Sequence, residues 1–189
     1  MSERSSNRQS SSPQELELVE FSVCDGETQV YYGFIVEKVR SVIKKPKLRQ
    51  ITNSPHYVAG MMTLKNKDLP VIDLGLILGK LPSKAPDQIL VIEFKRVVFG
   101  ALVNFVSNIQ SYTWEHNETP KPISSGSYIA GLLKGNNLSI PIIDLERIIA
   151  ELYQEGIVKA LDANELLTYD SFGNKLPATG DASLIRVQI

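Results

Sequence analysis

Two aspartates and two histidines are the side chains of this chain best suited to chemistry. Asp73 and Asp144 each follow a proline and two hydrophobic residues, where a strand is predicted to run into a helix. Two carboxylates could act as general acid and base, but aspartate at such a junction caps the helix N-terminus. His56 and His116 are far apart in sequence, and neither has partner ligands at metal-site spacing. We therefore predict two helix caps and no metal site.

Three further motifs fail as catalytic or cofactor sites. Residues 75–81 have three residues between their glycines and a leucine where a phosphate-binding loop needs serine or threonine. Residues 124–127 lack the Gly-x-Ser-x-Gly frame of a hydrolase nucleophile. Cys24 is the only cysteine and has no cationic neighbour in sequence, which argues against a disulfide or a reactive thiol. The sequence predicts a non-enzymatic protein without cofactors.

The composition is that of an ordinary globular protein. The 189 residues are 43% hydrophobic and 22% charged, with a net charge of -1, which disfavours nonspecific nucleic-acid binding by the whole molecule. No apolar run is long enough to span a bilayer, so we predict a cytoplasmic protein. Residues 1–15 are polar and lack aromatic side chains, and we expect a disordered tail there.

An internal repeat defines the elements that must position any site. The segment beginning at Tyr57 aligns without a gap on the one beginning at Tyr128, 71 residues later, and the two Pro-x-x-Asp segments align at the same offset. An earlier segment, residues 32–42, aligns on residues 99–109 at an offset of 67. Both copies are rich in short β-branched runs, so we predict a mostly β fold with two packed β subdomains. The predicted ranges are 16–84 and 85–153, followed by a C-terminal helix or tail over 154–189.

Each repeat is predicted to carry one short helix after its aspartate. The first ends at Gly79. The second has the stronger signal, because Leu145, Ile148, Ile149 and Leu152 form one apolar stripe and Gly156 stands at the position of a C-terminal cap. Arg147 and Glu151 are spaced to interact on the surface of this helix.

A basic stretch runs from Lys38 to Lys67, with eight lysines or arginines and no acidic residue. It is either a solvated surface balanced by acids elsewhere or a binding face. Nucleic-acid binding would favour interleaved aromatic side chains, and only Tyr57 is available, so an acidic protein partner is preferred. The predicted basic face comprises Arg40, Lys44, Lys45, Lys47, Arg49 and Lys67.

Over residues 16–153 the sequence resembles the CheW-like coupling domains of bacterial chemotaxis. The segment from Tyr57 to Leu74 is similar to the family motif Gly-x-x-Asn-Leu-Arg-Gly-x-x-x-Pro-x-x-Asp-Leu, and residues 32–40 and 96–103 also fit. The chain carries Thr63, Lys65 and Asn66 where the family has Asn, Arg and Gly. Lysine keeps the positive charge but lacks the planar two-pronged donor of arginine.

The resemblance implies two packed five-stranded β-barrels with short helices. It also implies a non-catalytic adaptor that joins the cytoplasmic tips of chemoreceptors to the regulatory domain of the histidine kinase CheA, and other CheW-like domains are further possible partners. Such a protein would be cytoplasmic and associated with membrane-bound receptor arrays. The receptor-binding groove carried over from the family comprises Val36, Val39, Gly60, Lys65, Ile89, Gly100, Val106 and Ile109.

Two questions stay open at the level of the sequence. Trp114, Pro120 and Pro122 are more similar to CheV, in which a receiver domain follows the coupling domain, so the chain is either a stand-alone coupling protein or a CheV-like chain without its receiver. The alternative function is that of a small-barrel nucleic-acid-binding protein that uses the basic stretch. Retention on heparin that falls steeply with salt would identify this alternative.

Overall fold

The computed structural model describes residues 14–81, 84–114, 128–134 and 139–158. In these ranges the chain forms ten strands and two α-helices, which confirms the mostly β prediction. The elements are β1 (Gln14–Asp25), β2 (Thr28–Ile35), β3 (Val39–Lys44), β4 (Val58–Leu64), β5 (Lys67–Asp73), α1 (Leu74–Ile77), β6 (Gln88–Phe94), β7 (Val97–Val103), β8 (Phe105–Trp114), β9 (Ile129–Lys134), β10 (Ser139–Ile143) and α2 (Leu145–Gln154). A single 3-10 turn, Val36–Lys38, precedes β3. Residues 1–13 of the predicted tail lie outside the described residues, and residues 14 and 15 belong to β1, so the tail prediction is wrong for these two. The C-terminal segment beyond residue 158 also lies outside the described residues.

The strands form two five-stranded sheets. The pairing order is β8-β1-β2-β10-β9 in the first sheet and β3-β6-β7-β5-β4 in the second. Neighbouring strands are antiparallel except for two parallel pairs, β2 with β10 and β5 with β7. Among the described residues neither pairing order closes on itself, so the expected closed barrels are replaced by two open sheets.

The sequence repeat is visible in the strand register. Met61 pairs with Pro70 in the second sheet as Leu132 pairs with Pro141 in the first, so the two prolines are equivalent, as predicted. The parallel pairs match as well, because Val71 lies opposite Gly100 and Ile142 lies opposite Gly33. Both sheets are therefore built from the same five-strand unit.

The repeats exchange strands. The first sheet combines β1 and β2 with β8, β9 and β10, and the second combines β6 and β7 with β3, β4 and β5. The boundary predicted between residues 84 and 85 therefore does not separate the two sheets. The boundary fails because β2 pairs with β10 of the second repeat on the side that β1 leaves free, while the chain after β2 enters the other sheet, where β3 pairs with β6.

One hydrophobic cluster holds the two sheets together. Its fully buried members include Phe21 and Phe34 of the first sheet, whose rings stack with centroids 4.9 Å apart, and Phe99 of the second. The predicted apolar stripe of α2 is buried in the same cluster. Each sheet also encloses a smaller cluster of its own, centred on Val71 in the second sheet and on Ile142 in the first. The folding unit is therefore the joined pair of sheets.

Both aspartates cap helices, as predicted. The Asp73 carboxylate accepts a hydrogen bond from the Leu76 N–H (3.1 Å), and the Asp144 carboxylate accepts one from the Arg147 N–H (3.0 Å). Gly79 and Gly156 end the two helices in left-handed conformations, with φ of 70° and 66°. The aspartates satisfy backbone donors that the helix itself leaves free, so their role is structural.

Replacing Asp144 with alanine is expected to lower the free energy of unfolding by about 1 kcal/mol, the usual cost of a lost N-cap. Partner affinity should stay nearly unchanged at temperatures where the variant is folded. A denaturant titration measures the first quantity and calorimetry the second, with Asp144→Asn as the control that retains a capping side chain. A loss of binding without a loss of stability would mean that Asp144 contacts the partner.

Candidate functional site

Four of the predicted groove residues keep apolar surface accessible to solvent. Val36, Val39 and Val106 are half-buried and pack against the cluster that joins the two sheets. Ile109, on β8, is 57% exposed. We call these four residues the inter-sheet groove. The half-buried valines and the exposed isoleucine offer apolar area to a partner without disturbing the core.

Edge strands supply the groove. β3 and β8 occupy the same position in their sheets, each at one end of the pairing order. Gln88 links them: it pairs with Lys44 of β3 in the strand register, and its side-chain oxygen accepts a hydrogen bond from the Val106 N–H of β8 (2.9 Å). The repeat thus brings two equivalent strands to the junction of the sheets.

Ile89 and Gly100 do not line this groove. Ile89 is completely buried, and a Cβ atom on Gly100 would lie 2.9 Å from its Cγ2 atom and 3.1 Å from the Cγ2 atom of Val71. Both residues belong to the enclosed cluster of the second sheet, and their expected role as receptor contacts is replaced by a packing role. Glycine at position 100 lets the side chains of neighbouring strands fill the interior.

Gly60 also has a structural role. Its φ is 140°, which side chains rarely adopt, and a Cβ atom would stand 2.6 Å from the carbonyl oxygen of Arg49. The neighbouring residue, Met61, exchanges two backbone hydrogen bonds with Arg49 (2.8 and 2.9 Å). This bridge holds the segment after β3 against the outer edge of β4, and it requires a close approach that only glycine permits.

Lys65 lies at the tip of the β4–β5 hairpin. Lys65 and Asn66 are the two central residues of the turn, with φ of 49° and 62°, the pattern of a type I′ turn. Asparagine tolerates this conformation, which explains how the turn forms without the glycine of the family motif. The Lys65 side chain is exposed and available to a partner.

The basic face is partly neutralised by acidic residues from neighbouring strands. Arg40 forms an ion pair with Glu93, and Arg49 forms one with Asp68 (2.6 Å between nitrogen and oxygen). Hydrogen bonds from Thr63 and then Arg49 hold the pKa of Asp68 below its usual value. The other predicted members, Lys44, Lys45, Lys47 and Lys67, are exposed. The basic stretch contains no acidic residue, but the fold places acidic side chains against it. The positive charge of the folded surface is therefore smaller than the sequence suggested.

Tyr128 is a contact centre that the sequence did not reveal. Its hydroxyl donates a hydrogen bond to Glu151, and the Arg147 guanidinium lies over its ring, 5.2 Å from the centroid. Burial, followed by the Glu151 contact, raises the pKa of Tyr128 to about 12. Arg147 and Glu151, the two α2 residues predicted to interact, thus both contact Tyr128, which precedes β9 in the same repeat.

The described residues contain no group of three or more histidine, cysteine, aspartate or glutamate side chains that could hold a metal ion. Cys24 is buried, and the His56 ring packs edge-on against Tyr57. His116 and the serines of residues 124–127 lie outside the described ranges. The helices within those ranges are too short or too polar to cross a bilayer.

The two five-stranded sheets, which exchange strands between the repeats, define a duplicated β domain. The family model of the CheW-like domain matches residues 17–152, so the chain belongs to the CheW-like domain family. This confirms the resemblance inferred from the sequence.

Three relatives illustrate the similarity. "Probable chemotaxis protein CheW" of Rhizobium etli is 31% identical over 144 residues, which are 74% of this chain and 90% of that protein. "Chemotaxis protein CheV3" of Helicobacter pylori is 29% identical over 150 residues, 73% of this chain and 48% of that protein, so the chain spans about half the length of this relative. The crystal structure of the scaffolding protein TtCheW from Thermoanaerobacter tengcongensis superposes with a TM-score of 0.60 at 25% identity, covering 70% of this chain and 90% of the other.

Proposed function

We propose that this protein is a non-catalytic chemotaxis adaptor that joins the cytoplasmic tips of chemoreceptors to the regulatory domain of a histidine kinase. Membership of the CheW-like family and the chemotaxis names of the relatives support the signalling context. The structurally similar TtCheW is a scaffolding protein, which supports the adaptor role. The partners follow from the family resemblance, and other CheW-like domains belong to the same set.

The inter-sheet groove is the observation that carries the proposal. Three of its four residues are half-buried valines that already pack on the core, so a partner can bury more of their surface without reorganising the fold. An apolar strip between two sheets suits the apolar face of a helix, a common mode of peptide recognition. A receptor tip, which is a helical hairpin in the family, offers such a face.

Co-sedimentation tests the proposal. The purified chain is mixed with membranes that contain a chemoreceptor, with and without the kinase, and the pelleted fraction is measured. We expect the chain to pellet with receptor membranes and to increase the amount of kinase that pellets with them. If the chain stays in the supernatant with receptor membranes and with receptor plus kinase alike, the adaptor function is wrong.

Lys65→Glu is expected to slow association with an acidic receptor surface about tenfold at low salt, because charge complementarity acts mainly on the encounter rate. The difference should shrink as the ionic strength rises, since screening weakens interactions between exposed charges. Stopped-flow or surface-binding kinetics at low and high salt measure the effect, and Lys65→Arg is the control that keeps the charge. Equal association rates for parent and Lys65→Glu would remove this residue from the binding surface.

A further inference from the structure

Two exposed aromatic side chains lie side by side on the first sheet, near the turn between β1 and β2. Tyr31 on β2 and Phe105 on β8 are 42% and 46% exposed, and both pair with Ser22 of β1, the strand between them. Cross-strand partners point to the same face of a sheet, so the two rings flank Ser22 in one row. Ser22 is completely buried although both of these neighbours are exposed, which indicates that the rings close over its small side chain.

A third exposed side chain, Leu81, is held at the same end of the sheet by its backbone. Its carbonyl oxygen accepts a hydrogen bond from the Gly26 N–H (2.7 Å), and its own N–H donates to the Asp25 carboxylate (3.4 Å). Lys80 forms an ion pair with the same carboxylate (3.0 Å). Asp25 lies three residues beyond Ser22 on β1, about 10 Å along the strand. Leu81 is 79% exposed. We call Tyr31, Phe105 and Leu81 the turn-end patch.

The second sheet shows that the fold does not require an aromatic pair at this place. By the repeat, the positions equivalent to the phenylalanine and the tyrosine carry Lys38 and Val98. Glu93 stands between them, because it pairs with Val98 as the serine pairs with the tyrosine in the first sheet. Glu93 forms an ion pair with Arg40. The five-strand unit therefore folds with charged residues here, and the two rings of the first sheet are free to serve another purpose.

The turn-end patch lies in an acidic part of the chain. Residues 14–37 hold six aspartates or glutamates and no lysine or arginine. Glu20 lies two residues before Ser22 and so on the same face of β1, and Glu27 is exposed in the turn. Aromatic faces attract cations, and carboxylates around them add to this attraction. The same carboxylates repel phosphate groups, which disfavours nucleic acid as the ligand of these rings.

We propose that the turn-end patch is a docking surface for a basic segment of a protein partner. A lysine or arginine of that segment lies on the rings of Tyr31 and Phe105, its charge faces the neighbouring carboxylates, and an apolar residue beside it contacts Leu81. The surface is separate from the inter-sheet groove, because Val106 follows Phe105 on β8 and points to the opposite face of the sheet. The proposal goes beyond the adaptor function and adds a site for a further partner of opposite charge.

A defined basic peptide tests the proposal. A ten-residue peptide of alternating arginine and leucine is titrated into the isotope-labelled full chain, and the backbone amide signals are followed by nuclear magnetic resonance. We expect saturable shifts centred on Tyr31, Phe105 and Leu81. A peptide with citrulline in place of arginine has the same shape without the charge, and it should bind about tenfold more weakly. An oligouridine of ten nucleotides should leave these signals unchanged.

Substitutions taken from the second sheet identify the contact residues. Phe105→Lys removes a ring and adds a positive charge, so it should weaken binding of the arginine peptide about tenfold, whereas Tyr31→Val removes only a ring and should weaken it about threefold. Leu132→Lys is the control, because it adds the same charge at an exposed position of the first sheet outside the patch, and it should bind like the parent. Thermal melts check that the variants are folded. Glu27→Gln changes only the exposed turn and should weaken binding about twofold at low salt, so the test stands even if a ring variant is unstable.

Four results would overturn the docking surface. These are shifts spread evenly over the acidic residues, equal affinity for the citrulline peptide, equal affinity of Phe105→Lys and Leu132→Lys, and oligouridine shifts at the same amides. Failure of the arginine peptide to bind the parent would overturn it as well. None of these results involves the receptor tip, so the proposed adaptor function stands or falls separately.

Discussion

Gly60→Ala is expected to lower the free energy of unfolding by about 3 kcal/mol, which corresponds to a fall of about 10 °C in melting temperature for a chain of this size. Two costs add. The φ of 140° is unfavourable for any residue with a Cβ atom, and that atom would lie 2.6 Å from the Arg49 carbonyl oxygen. The oxygen belongs to backbone that is bonded to Met61, so it cannot move aside cheaply.

Gly79→Ala is the matched control. Gly79 also has a positive φ, of 70°, but nothing lies within 4 Å of the position that its Cβ atom would take. Only the conformational cost remains there, about 1 kcal/mol. Comparing the free energies of unfolding of the two variants by chemical denaturation therefore separates the cost of the strained backbone from the cost of the steric clash with Arg49. Equal losses of stability would mean that the approach of Arg49 to β4 is not tight in solution, and the structural role assigned to Gly60 would be wrong.

The internal repeat made much of the fold predictable. Tyr57 and Tyr128 are separated by the same number of residues as the two capping aspartates. This common offset predicted that the strands and helices around them are equivalent. Strand exchange was not predictable in the same way. The strands of two similar repeats can pair within one repeat or between the two, and the local sequence pattern is the same in both cases. The choice depends on contacts between residues distant in sequence, such as the parallel pairing of Gly33 with Ile142.

The groove was only half predictable, for a different physical reason. A family motif mixes residues that touch a partner with residues that make the fold possible, and one sequence does not separate the two kinds. Val36, Val39 and Val106 lie half-exposed at the sheet junction. Gly100 and Ile89 were carried over from the family in the same way, but they belong to the enclosed cluster of the second sheet, which only three-dimensional packing reveals.

Val39→Glu is expected to weaken binding of the receptor tip by about 3 kcal/mol, roughly a hundredfold in affinity. Val39 packs on the shared core cluster and keeps part of its surface accessible, so a partner seated in the groove would cover the new carboxylate. The other inter-sheet groove residues, Val36, Val106 and Ile109, are apolar and offer the charge no counterion. The carboxylate would lose its water without gaining a hydrogen-bonded partner, which is the costly case for a buried charge. Titration calorimetry with the tip fragment measures the loss.

The half-buried position of Val39 means that the same charge also costs stability, and the two effects must be separated. A thermal melt gives the folded fraction of Val39→Glu, and binding is compared at a temperature where this variant is fully folded. Val39→Thr is the control, since it retains the branched side chain and should lose far less affinity. The completely buried Ile89 provides the contrast, because Ile89→Ala should cost about 3 kcal/mol of stability and leave the affinity of the folded fraction unchanged. A folded Val39→Glu protein that binds the tip as well as its parent would remove the groove as the receptor site, while the architecture of two exchanged sheets would stand.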